Sequence, residues 1–216
     1  MNIAATIDHT VLKPDSTRAD VEKICSEAIT HRFASVCILP WHVEHAAALL
    51  ASENIPVCTV VGFPLGASTT ECKVAETLIA IKQGAREIDM VASITALKSG
   101  LFDDVYNDIR EVTQAAHAQG AIVKVIIETS LLTDDEKKRM CSFVTQAGAD
   151  YIKTSTGFST GGATLEDVEL LRSHVGPAVK VKASGGIRDR QTALAMLQAG
   201  ADRLGTSSGV LIVRAD

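Results

Sequence analysis

The chain has 216 residues, of which 46% are hydrophobic and 22% are charged, and its net charge is −5 at pH 7. This length allows one domain with a large core, since barrels of alternating strands and helices often have slightly more than roughly 200 residues. A negative net charge gives no overall field that attracts nucleic acid or an anionic membrane. We therefore expect no nucleic-acid partner, and an anionic ligand would need a local cationic site.

Cysteine usage and the lack of a leader indicate the compartment. The cysteines are odd in number and lie in apolar periodic segments, which is typical of reduced core thiols: Cys25, Cys37, Cys58, Cys72 and Cys141. The start, MNIAATIDHT, has neither the basic residues nor the apolar run of a signal peptide. No stretch approaches the roughly 20 apolar residues of a membrane span. We expect a cytoplasmic protein with no membrane partner.

Apolar runs predict eight β-strands. They lie near 6–12, 33–39, 56–62, 87–92, 121–127, 150–154, 178–183 and 202–206. Their starts are about 23 to 34 residues apart, close to the length of one strand–helix unit.

Amphipathic helices are predicted between the strands. The first covers 17–31, and apolar spacing predicts others after polar residues that suit helix starts. These starts are Ser68 (with Glu71 as a capping box), Asp103, Thr133 (with Glu136 as a capping box) and Thr164.

One junction recurs four times: KQGAREIDMV, AQGAIVKVII, QAGADYIKTS and QAGADRLGTS. In each, a helical pattern ends at a glycine and a strand pattern follows, which indicates one supersecondary unit used repeatedly. Eight such units without a linker predict an α/β fold, a single-domain (β/α)8 TIM barrel over residues 1–216. A doubly wound open sheet is the alternative, but it gives no reason for eight strands.

Charged residues at the ends of the predicted strands are the candidate site. Strands of a parallel barrel are covered on both faces, so charges in them are unusual, and function lies at their C-terminal ends. Lys153, in YIKTSTG, ends strand six; taken alone it could equally reach into water. Lys180 and Lys182 alternate with valines and share one face of strand seven, which brings Lys182 near Lys153.

Keeping two neighbouring ammonium groups charged in a partly dry barrel costs free energy, because repulsion and desolvation each lower a lysine pKa. A neutral amine is what Schiff-base formation with a carbonyl requires. Asp89, in EIDMV at the mouth of strand four, could move protons for the lysine pair or simply cap the next segment. Asp8 and Glu128 are weaker candidates, from which we expect structural hydrogen bonds.

Glycine-rich loops predict a phosphate site. ASGGIRD follows strand seven and GTSSG follows strand eight, the usual phosphate position of a TIM barrel. Backbone amides can approach an oxyanion closely at such glycines. STGFSTGG, after Lys153, is a small-residue loop suited to closing over a substrate.

Metal and nucleotide sites have little support. His42 and His45 have helical spacing but no carboxylate partner alongside, so a solvated helix face is the better interpretation. No nucleotide-binding glycine motif is present. We therefore expect no metal.

Seven motifs together identify a family resemblance: IDHTVLKPD, VVGFPLGAS, EIDMV, KVIIET, YIKTSTGF, VKASGGIRD and DRLGTSSG. In order and spacing, over nearly the whole chain, they resemble the deoxyribose-phosphate aldolase family, class I aldolases that use a lysine Schiff base. The resemblance implies reversible cleavage of 2-deoxy-D-ribose 5-phosphate to D-glyceraldehyde 3-phosphate and acetaldehyde, in deoxyribose catabolism, without a cofactor.

The resemblance also implies roles for individual residues. Lys153 would form the Schiff base, with Asp89 and Lys182 as proton donor and acceptor and with Lys182 favouring the neutral form of Lys153. Substrate and phosphate would contact Thr10, Cys37, Thr156, Gly157, Gly185, Gly186, Ser207 and Ser208.

This chain departs from some family members at Phe158, where they have a lysine that helps to bind phosphate. Phosphate binding would then rest on amides and hydroxyls, with Arg188 as an additional cation. A barrel of this kind is expected to form a homo-oligomer, a dimer or a tetramer. The alternatives are a Schiff-base aldolase or transaldolase-like enzyme for another phosphosugar and a non-catalytic phosphosugar-binding barrel; a divalent-metal aldolase is disfavoured by the lack of clustered histidines and carboxylates.

Overall fold

In a computed structural model, which describes residues 2–214, eight parallel strands close into a barrel in chain order. The strands are β1 Ile7–Val11, β2 Ser35–Ile38, β3 Val57–Val61, β4 Ala85–Val91, β5 Ile122–Ile126, β6 Tyr151–Lys153, β7 Lys180–Ser184 and β8 Arg203–Thr206. Each predicted strand is present, and β8 pairs with β1, which closes the sheet. The TIM-barrel prediction is therefore confirmed.

Helices surround the barrel. They are α1 Arg18–His31, α2 Val43–Leu49, α3 Thr70–Lys82, α4 Ile94–Lys98, α5 Phe102–His117, α6 Asp134–Ala147, α7 Leu165–His174, α8 Arg190–Gln198 and α9 Gly209–Arg214. Three short 3-10 helices lie at Ile3–Thr6, Pro40–His42 and Thr129–Leu131. Among residues 2–214, no helix combines the length and apolar character that a membrane crossing needs.

Helix starts follow the predicted caps in three cases. Thr17 and Thr133 form capping boxes, with the third helical residue bonding back, and the Thr164 hydroxyl accepts from the Asp167 amide. The other two predicted starts are wrong. Thr69, not Ser68, is the residue before the first turn of α3. Helix α5 already begins at Phe102, so Asp103 lies inside its first turn.

The main core lies between the strands and the surrounding helices. Outward-facing strand residues such as Val36 and Val123 pack there against apolar helix positions such as Val21 and Val112. The four recurrent junction glycines all have positive φ, between 73° and 114°, a region in which an L side chain is strained. The sequence repeat is therefore a repeated helix-to-strand turn.

The inside of the barrel is polar near its centre. Asp89 on β4 is the register partner of Lys124 on β5, and Lys153 on β6 is the register partner of Lys182 on β7. All four side chains are buried. Charge inside the barrel is the feature that defines the site.

Candidate active site

Lys153 lies at the floor of a cavity of about 390 Å³ at the C-terminal ends of the strands. The cavity is in the range of small-molecule sites. The side chain is only 3% exposed, yet it is one of the residues that line the cavity. Loops after β1, β6, β7 and β8 form the remaining wall. Lys153 is thus placed where a small molecule can reach it while bulk water is largely excluded.

Asp89 lies directly behind Lys153 and is fully buried. Its Oδ2 accepts hydrogen bonds from the Nζ of Lys153 and from the Nζ of Lys182, each at 2.7 Å. Its Oδ1 accepts a third from the Nζ of Lys124 at 2.8 Å. The three residues that sequence reasoning placed in the catalytic group are therefore in direct contact, although Asp89 lies inside the barrel and not at its mouth.

The charges of this group follow from its contacts. Burial alone would raise the pKa of Asp89, but Lys124, Lys153 and Lys182 outweigh burial and hold that pKa well below its usual range. Burial alone would lower the pKa of Lys182, yet Asp8 and Asp89 raise it above its usual value. The expectation that repulsion and desolvation lower the lysine pKa is thus wrong for Lys182, because two carboxylates contact it. The two carboxylates therefore favour the charged form of Lys182 beside Lys153.

Sequence reasoning missed Lys124 and Glu87. The Nζ of Lys124 lies 2.6 Å from Glu87 Oε2, and both side chains are buried. A signal for them existed, since a charge within an apolar strand pattern is unusual. Both residues lie within their strands, whereas the functional residues of a TIM barrel are expected at the C-terminal strand ends.

Asp8 and Glu128 hold neighbouring groups, as the sequence predicts. Asp8 accepts a hydrogen bond from the Ser35 hydroxyl and forms ion pairs with its cationic neighbours. Glu128 accepts hydrogen bonds from the amide and the hydroxyl of Thr156. This fixes the start of the loop after Lys153 against the loop after β5.

Most of the predicted phosphate-binding residues meet at the cavity. Six of them line it: Thr10, Thr156, Gly157, Gly185, Gly186 and Ser207. The loops after β6 and β7 touch at their backbones, since a Cβ on Gly162 would lie 2.4 Å from the carbonyl oxygen of Gly185. Glycine is therefore required where these two loops cross.

Two predicted pocket residues lie away from the cavity wall. The Ser208 amide donates to the Thr206 hydroxyl at 2.9 Å, and Ser208 does not line the cavity. Cys37 is buried in a small apolar cluster with Leu12, Cys58 and Val60. Cys37 is thus buried behind the surface that a ligand would contact, whereas Ser208 is partly exposed but lies outside the cavity lining.

The cavity wall also carries cations and an aromatic ring. Lys13, which sequence reasoning did not single out, and Arg188 both line it and are exposed. Phe158 lines it as well, and its ring meets that of Phe63 edge to face, with centroids 5.2 Å apart. The position that carries a lysine in some family members is therefore an apolar wall here.

One group in the described part of the chain has metal-ligand spacing. It comprises Cys37, Cys58 and Asp89, whose ligand atoms lie within 4.8 Å of one another. However, both oxygens of Asp89 already accept hydrogen bonds from ammonium groups. A divalent cation would meet three like charges there, so the group does not fit a metal.

Comparison with known proteins agrees with this geometry. The model of the DeoC/LacD family aldolases matches residues 2–216. The deoxyribose-phosphate aldolase of Brevibacillus brevis is 58% identical over 213 residues, which are 99% of this chain and 96% of that protein. The enzyme of the same name from Bacillus cytotoxicus is 59% identical, over 100% of this chain and 96% of that protein.

A solved structure shows the same barrel. The deoxyribose phosphate aldolase from Aeropyrum pernix, described as having a unique tetrameric structure, is 35% identical; the match covers 98% of this chain and 89% of that one, with a TM-score of 0.92. The family match, the two near full-length relatives and the shared fold all indicate the same family. The chain belongs to the DeoC/LacD family of aldolases.

Proposed function

We propose that this chain is a deoxyribose-phosphate aldolase that cleaves 2-deoxy-D-ribose 5-phosphate reversibly to D-glyceraldehyde 3-phosphate and acetaldehyde. The observation that carries the proposal is the contact of Lys153 with Asp89 at the floor of the cavity, with Lys182 on the same carboxylate oxygen. A nucleophilic amine, a proton carrier and a fixed cation are thereby held at one point.

The first step joins Lys153 to the open-chain sugar. Its neutral amine attacks the aldehyde carbon C1, and the carbonyl oxygen takes up a proton to give a carbinolamine. Loss of that hydroxyl as water leaves a protonated Schiff base. Asp89 bonds directly to the Lys153 nitrogen, so it is placed to take the proton that the amine releases and to return it to the departing oxygen.

The second step breaks the C2–C3 bond. The iminium accepts the electron pair of that bond and becomes an enamine, while the C3 hydroxyl loses its proton and becomes the aldehyde of glyceraldehyde 3-phosphate. The enamine carbon then takes up a proton, and water hydrolyses the Schiff base to release acetaldehyde and the free amine. Lys182 shares the Asp89 oxygen with Lys153, which suits it to pass protons to and from this centre. The iminium supplies the electron sink, so the route needs no cofactor.

The phosphate occupies the wall opposite Lys153. Gly185, Gly186 and Ser207 line the cavity there, and we assign their backbone amides and the serine hydroxyl as the phosphate donors, with Arg188 as an added positive charge. Phe158 adds none, so the phosphate depends on this wall. A non-catalytic phosphosugar-binding barrel would not need the buried group around Asp89.

Assembly and compartment are part of the proposal. A tetrameric relative at 35% identity supports a homo-oligomer, a dimer or a tetramer. All five cysteines are free thiols, and four of them are buried, which suits a reducing cytoplasm.

The experiment is borohydride trapping with acetaldehyde, followed by mass mapping of the modified peptide. Label is expected on Lys153 in wild type, and none in Lys153→Arg, because a guanidinium cannot supply a neutral amine. Lys180→Arg is the matched control, since Lys180 is exposed on the adjacent strand; it should keep both label and turnover. Label on Lys182 with Lys153 unmodified would overturn the assignment.

A further inference from the structure

Six charged side chains form a closed ring inside the barrel, below Lys153. They alternate in sign around the ring: Arg203, Asp8, Lys182, Asp89, Lys124 and Glu87. They come from β1, β4, β5, β7 and β8, so the ring spans the barrel interior. Five of the six are buried, and Arg203 is partly exposed at the lower end.

Each neighbouring pair in the ring is in contact. Lys182 lies 2.5 Å from Asp8 and 2.7 Å from Asp89. Lys124 lies 2.8 Å from Asp89 and 2.6 Å from Glu87. Arg203 closes the ring at 2.6 Å from Asp8 and 3.5 Å from Glu87.

The ring is balanced without Lys153. Its three cations match its three carboxylates, and Lys153 is a seventh charge attached to Asp89. Burial makes an unmatched charge costly, since several kcal/mol are lost per ion that leaves water without a partner. When Lys153 is neutral the buried cluster carries no net charge; when it is protonated the cluster carries one excess positive charge.

We propose that this ring sets the protonation state of Lys153, and that Glu87 and Lys124 are positioning residues that act through it. The proposal rests on the proposed function, in which Lys153 must react as a neutral amine. Lys153 is the one cation of the cluster that lines the cavity, so the cluster can release its excess charge there. The ring members keep their charges because each contacts two partners of opposite sign.

The remaining titratable groups around Lys153 do not alter this balance. Burial raises the pKa of the Cys58 thiol well above its usual range, and Cys58 donates to Asp89 at 3.1 Å, so it carries its proton. Cys37 on β2 lies beside it, and Glu128 after β5 is held by Thr156. Lys13 and Arg188 lie on the exposed wall of the cavity. The identities of these residues are unchanged in the variants below, and although Lys124 lies 3.3 Å from Cys58, loss of that cation would only raise the pKa of the thiol further, so Cys58 keeps its proton.

Removing opposite charges from the ring must therefore shift the activity profile in opposite directions. In Lys124→Gln the ring is one positive charge short, and a protonated Lys153 completes it, so the acidic limb of kcat/KM moves to higher pH. In Glu87→Gln the ring already has one positive charge in excess, so Lys153 loses its proton at lower pH. The Lys124→Gln shift should be about one to two pH units, from Coulomb's law across the width of the Asp89 carboxylate at an effective dielectric constant near 20. The Glu87→Gln shift should be smaller, about one pH unit, because Glu87 contacts Lys124 and not Asp89. The double variant restores the balance, and its midpoint should lie within about half a unit of wild type.

The test compares these profiles with a matched exposed pair. Lys138→Gln and Asp135→Asn make the same charge changes at an exposed ion pair on α6, and neither should move the midpoint. Circular dichroism establishes which variants fold. If one single variant fails to fold, the other single variant and the double variant still test the proposal. The remaining single variant should shift the midpoint of the pH profile, and the double variant, whose ring is balanced, should have the wild-type midpoint. Shifts of the two single variants in the same direction, or an unmoved midpoint in a folded single variant, would overturn the proposal.

Failure of the ring can be told from failure of the proposed function. The pH dependence of borohydride trapping on Lys153 is recorded for wild type first. Without label on Lys153 in wild type, the aldolase assignment itself fails. With label present but no opposite shifts, only the role of the ring fails.

Discussion

Replacing Lys182 with leucine tests the contact between the two lysines of the site. The change removes the cation that shares Asp89 Oδ2 with Lys153 and leaves a shorter, uncharged side chain. Asp89 keeps Lys124 and Lys153 as partners, and Asp8 keeps Arg203. The variant should therefore fold, at a cost of roughly 3 to 5 kcal/mol for breaking a buried ion pair.

The effect on activity follows from the distance between the ammonium groups. Both nitrogens lie 2.7 Å from the same oxygen, so they cannot be farther apart than twice that distance. Two charges roughly 5 Å apart interact by roughly 3 kcal/mol at an effective dielectric constant of about 20, which corresponds to about two pH units. Without Lys182, Lys153 should hold its proton to a pH higher by about that amount.

The assay is the pH profile of kcat/KM, with Lys180→Leu, at the exposed end of the same strand, as the control. We expect a large loss at neutral pH and a modest recovery at alkaline pH, because the proposed mechanism gives Lys182 two roles, as a cation and as a proton carrier. A purely electrostatic role gives a fuller alkaline recovery, and a pure proton-carrier role gives none. Near wild-type turnover of Lys182→Leu at neutral pH would refute the two-lysine mechanism and reduce Lys182 to a structural cation.

Two further predictions concern the phosphate and acid stability. Ser207→Asp places a carboxylate on the cavity wall and should raise KM for the phosphorylated sugar at least about tenfold more than KM for 2-deoxyribose. Ser208→Asp is the control and should have a smaller effect, because Ser208 does not line the cavity. Steady-state kinetics on both sugars checks this, and equal increases in KM for the two sugars would place the phosphate elsewhere. Burial alone would raise the pKa of Asp8 and Asp89, but the surrounding cations lower both pKa values more strongly. In urea unfolding, the stability that these two carboxylates contribute should therefore be fully present above the usual aspartate pKa of about 4 and should be lost as the pH falls below it. A free energy of unfolding that stays constant between pH 5 and pH 2.5, within roughly 1 kcal/mol, would contradict this linkage.

Local pattern determined the fold and singled out the residue that we propose as the nucleophile. Strand and helix periods depend on near neighbours in the chain, so eight strands and the junction glycines could be predicted from the sequence. Lys153 and Lys182 could be paired in the same way, because consecutive parallel strands of a barrel are neighbours. The sequence does not fix each helix start to one residue. Ser68 and Thr69 are adjacent hydroxyl residues that fit the same capping pattern equally well, and the structure places Thr69, not Ser68, before α3.

Closure of the barrel decided the rest. Glu87 and Lys124 come from the neighbouring strands β4 and β5, but Arg203 comes from β8, and only the tilt and stagger of a closed sheet bring these three side chains to one layer. A glycine-rich motif likewise does not specify that Ser207 lines the cavity while Ser208 does not; that depends on the path of the turn between β8 and α9. The charge of Lys182 was misjudged for the same reason: the pattern along β7 shows a second lysine near Lys153, but not the two carboxylates, from β1 and β4, that meet it across the barrel and keep it protonated.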